Sequence, residues 1–501
     1  MKASDMLKNF KRYFPEEKLV LGVILSGLFL FFLWILYRSE GFIGDADSVT
    51  HYRFSRYSWQ FPAFLLDHWA KPVFTLLSSP FAQFGHAGVS IFNLLGGIGS
   101  AWLVWLSAKK LGYPNRLLLP FLVFFTPIYT VFVISGQVEV LFGLFIMATV
   151  WLCLDKKYLW AAIVISFSHL VRTEGIIIIP IIVLFFLVKK QYRHIPWLLT
   201  GTIVYSIIGY FHFGDFFWLI TQMPYTGKAE MYGTGSFWYF FKVWPKIFGA
   251  VNYLLIPLGI LAILHDLLRK REGKHLDETI LIILPFMLYF MAHVVMWYTG
   301  IGRSLGMYRY MVSIVPVGAL LSLRGLNTIM LMLDKLTRSR ITGKVAGLLI
   351  MVLFVITPFQ VWRIPQKLDG MNIVMKKAAD FMISENLNQN KLYYSDPAFE
   401  MFLDLNPFDE TKSRFRLPDS SKPHHEVKPG EIVVWEGHFM ALEGVKLGDL
   451  QNSQYYEMLA LFEPVHPFTI FETDYKVAVF RRLDLAEGLN NDSIVPEKGE
   501  D

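Results

Sequence analysis

Long runs of apolar residues constrain this 501-residue chain more than any other feature. The first extends from about Leu19 to Tyr37, and the others lie near 87–108, 116–134, 138–154, 158–171, 174–189, 195–213, 247–267, 278–299, 308–325 and 345–362. Because a helix needs roughly 20 mostly apolar residues to cross a bilayer, the runs predict an α-helical multi-pass membrane protein with about eleven spans. The pair 158–171 and 174–189 is short for two full crossings, so we expect tilted or broken helices there.

Composition excludes several other classes of protein. Hydrophobic residues make up 54% of the chain and charged residues 18%, below the roughly 25% charged residues of soluble domains. This balance excludes intrinsic disorder and a coiled coil, and the single cysteine, Cys153, excludes a disulfide scaffold. The net charge of +6 is explained by loop charges of a membrane protein. Nucleic acid is therefore not predicted as a partner.

Basic residues predict how the chain is oriented. The first run follows Lys8, Lys11, Arg12 and Lys18 and ends without a small-residue cleavage site, so we interpret it as a retained anchor. With the N-terminus in the cytoplasm, each inner loop is basic; these loops lie near 109–116, 156–157, 189–193, 269–274 and 335–344. An odd number of spans then places the C-terminal part in the periplasm. The predicted location is the inner (plasma) membrane of a bacterium.

The composition changes after Trp362, and residues 363–501 are polar without a span. Met371–Glu385 has helical periodicity, and four segments rich in Val, Ile, Tyr and Phe are typical of strands: Lys391–Asp396, Glu431–Glu436, Phe468–Glu472 and Tyr475–Arg481. We predict a transmembrane domain over 1–362, a small periplasmic α/β domain over 363–484 and a disordered tail over 485–501.

Two carboxylates, Asp45 and Asp47, lie just beyond the first span. They can bind a divalent cation such as Mg²⁺ or Mn²⁺, or one of them can act as a general base. A simpler alternative is a turn that caps a helix starting near Ser48. Ionisable groups at membrane depth are costly and mark function, and the polar clusters of this chain collect on the predicted outer side. One shared outward cavity is therefore expected.

Three arginines on that side are candidates for phosphate binding: Arg172, Arg303 and Arg309. A guanidinium group matches phosphate oxygens with two parallel hydrogen bonds. The alternative for Arg172 is a structural ion pair with Glu174, and for the other two it is contact with lipid headgroups. Further candidate substrate-binding residues are Lys71, His169, Glu174, Tyr225 and Lys228.

Tyr225 and Lys228 belong to a long loop with the glycine and aromatic content of a mobile lid or an ordinary connector. His169 is suited to an acid, base or ligand role, although a lone histidine at the membrane edge more often only satisfies local hydrogen bonds. The chain contains no phosphate-binding nucleotide loop, zinc-protease helix, nucleophile elbow or dinucleotide fingerprint in the required context. A nucleotide-driven machine is thus not indicated.

The whole pattern resembles the GT-C superfamily of integral-membrane glycosyltransferases. The resemblance rests on the acidic motif Gly44–Ser48 after the first span, the long amphipathic outer loop that follows, the many outward loops and the C-terminal soluble domain. Within the superfamily, Asp67–Pro72 and His169–Gly175 look like bacterial mannosyltransferase-like members. The resemblance implies transfer of a sugar from a polyprenyl-phosphate carrier, with Asp45 or Asp47 as the base or as part of a metal site.

The expected reaction is a single displacement that inverts the anomeric carbon, with an aspartate base and arginines at the leaving phosphate. The expected partners are the bilayer, a lipid-linked sugar donor and an acceptor that is a glycan, a lipid or a protein. Three alternatives stay open: a flippase or transporter of a lipid-linked saccharide, an oligosaccharide transferase or polymerase, and a catalytically inactive scaffold. The few charges within the spans and the short basic inner loops disfavour transport.

Overall fold

A computed structural model describes residues 16–224, 233–270, 272–302 and 304–484. The predicted tail, 485–501, lies outside these ranges. The chain divides into two compact units between Gln366 and Lys367. Unit 1 is helical, and unit 2 combines helices with a β-sheet.

Unit 1 is built from α-helices joined by short 3₁₀ segments and one π-helical segment. The α-helices are α1 (Glu16–Arg38), α2 (Ala46–Tyr57), α3 (Pro72–Ala82), α4 (His86–Leu111), α5 (Leu119–Phe124), α6 (Pro127–Phe132), α7 (Glu139–Leu154), α8 (Tyr158–Ser166), α9 (Ser168–Val171), α10 (Gly175–Val188), α11 (Thr200–Phe213), α12 (Trp218–Thr221), α13 (Tyr239–Lys242), α14 (Trp244–Ile247), α15 (Asn252–Lys270), α16 (Gly273–Glu278), α17 (Leu284–Thr299), α18 (Val315–Thr337) and α19 (Arg340–Val361). The 3₁₀ segments are Pro62–Leu66, Arg116–Leu118, Tyr192–Leu199 and Tyr308–Ile314, and the π-helical segment is Thr279–Ile283.

Within the described residues, six helical stretches are long and apolar enough to cross a membrane. They are Glu16–Arg38, His86–Leu111, Asn252–Lys270, Gly273–Thr299, Tyr308–Thr337 and Arg340–Val361. Shorter apolar helices are Pro72–Ala82, Glu139–Leu154, Tyr158–Val171 and Gly175–Val188. The predicted class, an α-helical multi-pass membrane protein, is confirmed, whereas the number of eleven spans stays a prediction.

The helices α15 and α18 of unit 1 pack closely against each other. Gly259 of α15 lies against the backbone of Leu321, and Gly325 of α18 lies against the backbone of Leu255. A Cβ atom at either glycine would collide with main-chain atoms of the other helix. In lipid there is no hydrophobic driving force between helices, so van der Waals packing has to hold them together. Small residues favour this packing because they let the two backbones approach closely.

Helices break at two places that define the site. The apolar stretch after Arg116 does not form one helix, because α6 starts at Pro127 and residues 133–138 precede α7. A second break separates α9 from α10 at residues 172–174. Such non-helical backbone is tolerated at membrane depth where it is buried in protein or lines a cavity.

Unit 2 contains a five-stranded sheet with strand order β2-β1-β3-β7-β4 and a separate β5–β6 hairpin. The strands are β1 (Leu392–Tyr394), β2 (Ser413–Phe415), β3 (Ile432–Glu436), β4 (Tyr456–Phe462), β5 (Thr469–Ile470), β6 (Thr473–Asp474) and β7 (Val477–Arg482). Its helices are α20 (Gly370–Ser384), α21 (Ala398–Phe402), α22 (Phe439–Leu442) and α23 (Leu447–Gln451), with a 3₁₀ turn at Leu387–Gln389. β1 is parallel to β2 and β3, whereas β7 is antiparallel to β3 and β4.

Both faces of the central strand β3 are buried, and one hydrophobic cluster of unit 2 lies on one face of the sheet. Val433 and Trp435 of β3 and Phe480 of β7 are buried there together. Trp435 donates its indole N–H to the carbonyl of Val445, 2.7 Å away, so the ring is buried without an unsatisfied donor.

Candidate active site

A cavity of about 460 Å³ lies within unit 1, at the breaks between the helices. Its lining contains both carboxylates and cations; the acidic residues are Asp47, Glu139 and Glu174, and the basic residues are Lys71, Arg172 and Arg309. Apolar side chains complete the wall, namely Val138, Ile177, Met296 and Leu305. Charged groups buried in a membrane protein are costly, so this concentration marks the cavity as functional.

The acidic turn is held by local and long-range hydrogen bonds. Asp45 is the N-cap of α2, and its Oδ1 accepts from the backbone N–H of Asp47 at 3.1 Å and from Gln137 Nε2 at 2.6 Å. The buried Ser48 hydroxyl donates to the carbonyl of Ile43 and accepts from the backbone N–H of Gly136, both at 2.8 Å. A capping role of Asp45 is therefore compatible with a catalytic role of the motif, because the cap fixes the backbone position of Asp47.

One guanidinium group bridges both aspartates. Arg309 donates from Nη1 to Asp45 Oδ1 at 3.2 Å and from Nη2 to Asp47 Oδ2. Its Nε lies 4.0 Å from Glu139 Oε1. The Arg309 side chain is 7% exposed, and a buried cation in this position needs its carboxylate partners.

Arg172 forms a second cluster of charges. It donates to Glu139 Oε1 from Nη1, and to Glu174 from Nη2 at 2.5 Å and from Nε at 3.2 Å. The Tyr310 ring lies 4.8 Å from the guanidinium carbon. The ion pair between Arg172 and Glu174, which was the structural alternative to phosphate binding, is present, and Glu139 links it to Arg309.

The surroundings shift the pKa of three groups at the cavity. Burial raises the pKa of Asp45, against the opposing charge of Arg309. Burial alone would raise the pKa of Asp47 as well, but the neighbouring positive groups, Arg309 first among them, together outweigh it, so the net pKa lies below the ordinary value of 3.8. Burial lowers the pKa of Lys71 to about 8. Asp47 is therefore ionised at neutral pH, and Lys71 is close to its titration range.

The structure brings together most of the residues selected from the sequence. Five of them line the cavity, namely Asp47, Lys71, Arg172, Glu174 and Arg309. Asp45 is not a lining residue, but it is bonded to Arg309, which is one. His169 is not among the lining residues; its Nε2 lies 3.3 Å from the hydroxyl of Thr202. Tyr225, Lys228 and Arg303 lie outside the described residues.

Further polar residues of the lining were not selected from the sequence as candidate site residues, among them His51, Gln137, Glu139 and His293. Glu139 is the sole ionisable group of α7 apart from Cys153, and His293 is the sole histidine of α17, which has no Asp, Glu, Lys or Arg. A lone polar group at the start of, or within, an apolar helix was the available signal, because such a group is too costly to keep without a role.

The aspartate pair does not fit a resident metal site. Arg309 is bonded to both carboxylates and carries the positive charge that a cation would supply. Among the described residues, no group of three or more His, Cys, Asp or Glu side chains is arranged to hold a metal ion. Divalent cations require several oxygen ligands around one point. Arg309, rather than Mg²⁺ or Mn²⁺, therefore supplies the positive charge beside the two aspartates.

A helical membrane unit whose cavity combines carboxylates with cations can support group transfer, because it offers a proton acceptor and a counter-charge for a leaving group. Residues 71–323 match the model of glycosyltransferase family 87, about half of the chain. The protein belongs to this family and is a glycosyltransferase.

Solved structures agree with the family. ArnT from Cupriavidus metallidurans bound to undecaprenyl phosphate superposes with a TM-score of 0.58 at 11% identity, over 91% of this chain and 97% of that one. The oligosaccharyltransferase of Archaeoglobus fulgidus gives 0.51 at 14% identity, over 89% and 72%. The arabinofuranosyltransferase AftD from Mycobacteria gives 0.52 at 10% identity, over 92% and 40%.

At this identity the matches establish the fold alone; together with the family match, they confirm the predicted resemblance to GT-C glycosyltransferases. Comparison with curated proteins finds no match by sequence.

Proposed function

We propose that this protein transfers a sugar from a polyprenyl-phosphate carrier to an acceptor hydroxyl on the periplasmic side of a bacterial inner membrane. The observation that carries the proposal is the cavity itself, where the carboxylate of Asp47 faces the same space as Lys71, Arg172 and Arg309. Glycosyl transfer from a phosphate needs both a proton acceptor and a stabiliser of the leaving phosphate.

Asp47 is the proposed base, and Asp45 positions it. Asp47 lines the cavity, whereas Asp45 is engaged by Gln137, by the turn of α2 and by Arg309. In the proposed step, Asp47 takes the proton of the acceptor hydroxyl while the oxygen of that hydroxyl bonds to the anomeric carbon. The bond from that carbon to the carrier phosphate breaks, so the electron pair leaves with the phosphate and the configuration inverts.

The carrier phosphate is proposed to bind to the cations of the cavity. Arg309 has an Nε–H without a hydrogen-bond partner among the described residues, so it can reach a phosphate oxygen while holding Asp45. Lys71 adds a point charge, and Arg172 keeps two carboxylates in place. When Arg309 turns towards the phosphate, Asp47 loses part of its counter-charge and becomes a stronger base.

The rest of the proposal follows from the fold and the resemblance. The apolar side chains of Ile177, Met296 and Leu305 give a prenyl chain a route into the cavity, and the similar ArnT structure is bound to undecaprenyl phosphate. A mannose-like hexose is proposed from the resemblance to mannosyltransferase-like members. The proposed topology has about eleven spans, a cytoplasmic N-terminus and a periplasmic unit 2.

Transfer of radiolabelled mannose from polyprenyl-phosphate mannose by purified protein, with solubilised bacterial membranes as the acceptor source, tests the proposal. We expect Asp47→Asn to lower the rate at least about 100-fold, and Asp45→Asn to lower it less. EDTA should have no effect. Asp155→Asn is the matched control, because Asp155 pairs with Lys110 and Lys157 away from the cavity.

Three results would contradict parts of the proposal. Full activity of Asp47→Asn excludes this residue as the base, and loss of activity with EDTA establishes a metal site that displaces Arg309. If the wild type moves no sugar from monosaccharide donors but moves a preassembled glycan, the oligosaccharide-transferase alternative replaces the proposed reaction.

A further inference from the structure

We propose that the stacked rings of His51 and Trp69, the aromatic wall, form a subsite for the ring of a neutral sugar. The inference rests on the proposed function and deepens it. The two rings stack with a centroid distance of 4.9 Å and an angle of 23° between their planes. Both residues line the cavity that contains Asp47.

Other aromatic residues hold the aromatic wall in place. Phe74 packs on His51 at 5.6 Å, and Phe54 packs on Trp69 at 5.9 Å. Phe64 supports Phe54 edge-on at 4.8 Å. Of these five rings, His51 and Trp69 reach the cavity lining. Rings whose positions are fixed by packing are preorganised, so a ligand does not have to order them on binding.

The aromatic wall lies beside the proposed chemistry. His51 follows Asp47 by four residues on α2, which places both side chains on the same helix face, one turn apart. Trp69 precedes Lys71 by two residues at the start of α3. A ring on the aromatic wall is thus flanked by the proposed base and by a cation.

The chemistry of the aromatic wall selects a sugar rather than a phosphate. Burial lowers the pKa of His51 to about 3, so its ring is neutral, and the indole of Trp69 carries no charge. His51 is 5% exposed, and its Nδ1 has no hydrogen-bond partner among the described residues. A sugar ring offers an apolar C–H face for the indole and hydroxyls for that nitrogen, which otherwise keeps an unsatisfied hydrogen bond.

The sugar on the aromatic wall can come from the donor or from a glycan acceptor, and two binding measurements distinguish them. In the first, calorimetry compares polyprenyl-phosphate mannose with polyprenyl phosphate alone, so the difference in affinity reports the sugar. In the second, free mannobiose is titrated into the protein without carrier. The variants are Trp69→Leu, Trp69→Phe and His51→Leu, and Trp160→Leu is the control, since Trp160 is 58% exposed and absent from the cavity lining.

We expect Trp69→Leu to weaken sugar binding about tenfold, equivalent to 1.4 kcal/mol, in one of the two measurements, and Trp69→Phe to weaken it less. Affinity for bare polyprenyl phosphate should not change. A loss of affinity for polyprenyl-phosphate mannose shows that the aromatic wall binds the donor sugar. A loss of affinity for mannobiose shows that it binds a sugar of the acceptor. If Trp69→Leu and His51→Leu keep wild-type melting temperatures and wild-type affinities in both measurements, the aromatic wall is not a sugar subsite.

The two proposals fail in different ways. If Asp47→Asn still transfers sugar or the wild type does not bind polyprenyl phosphate, the proposed function fails, whereas mannobiose still tests the aromatic wall. If transfer depends on Asp47 but substitutions of Trp69 and His51 leave the sugar affinity unchanged, only the proposed sugar subsite at the aromatic wall fails.

Discussion

At the scale of single residues, Glu139 connects the two arginines of the cavity. Its side chain is 1% exposed; Oε1 accepts from Arg172 and lies 4.0 Å from Arg309 Nε. Glu139→Gln keeps the shape but removes the charge, so we expect both arginines to lose their fixed positions. The rate of sugar transfer should fall at least about tenfold.

Glu463→Gln, at a 54% exposed side chain of unit 2, is the control for that measurement. Equal rates for Glu139→Gln and the wild type would show that Glu174 and the aspartates alone position the arginines.

Lys71 and Asp47 give the reaction a predicted pH profile. Asp47 has a lowered pKa, so its base form is lost only as the pH falls below the ordinary carboxyl range. Lys71 has a pKa of about 8, so its positive charge is present below that pH and disappears as the pH rises through it. We expect kcat/KM to fall on the alkaline side near pH 8, and Lys71→Arg to move that limb upwards. If the alkaline fall in kcat/KM occurs at the same pH in Lys71→Arg, a group other than Lys71 causes it.

At the scale of elements, the acidic turn depends on its contact with the break before α7. A Cβ atom at Gly136 would lie 2.6 Å from Ser48 Oγ and 2.8 Å from the Ser48 carbonyl oxygen. Gly136→Ala should therefore displace Asp45 and Asp47 and lower the transfer rate. Gly27→Ala in α1 is the matched control, because nothing lies within 4 Å of its Cβ position.

The melting temperature separates the two effects of that change. We expect Gly136→Ala to lose activity at a melting temperature near that of the wild type, since the clash is local. Full activity would show that the turn tolerates a shift of several tenths of an ångström.

Local patterns predicted elements, but not contacts between them. The apolar runs at 87–108 and 345–362 correspond to α4 and α19, since periodicity and length are local properties. β2 was missed because three residues carry no pattern, and β4 because a bulge near Leu459 disturbs its alternation. The bridge from Arg309 to Asp45 joins residues 264 positions apart, so spacing could not reveal it.

At the scale of the whole molecule, the remaining prediction is the side of the membrane on which unit 2 lies. The family and the fold establish a multi-pass enzyme, whereas orientation rests on the basic inner loops and an odd number of spans. Cys153 is the single cysteine and is buried, so Cys153→Ser gives a background for cysteine labelling. Glu385 of unit 2 and Lys109 at the end of α4 are exposed positions for Glu385→Cys and Lys109→Cys.

A membrane-impermeant maleimide should label Glu385→Cys in intact spheroplasts and Lys109→Cys only after permeabilisation. This outcome places unit 2 on the side where the cavity is proposed to receive its acceptor. Labelling of both variants only after permeabilisation would require an even number of spans between Lys109 and Glu385. Unit 2 could then take no part in selecting a periplasmic acceptor, and the short apolar helices α8 to α10 would be the first candidates for segments that do not cross.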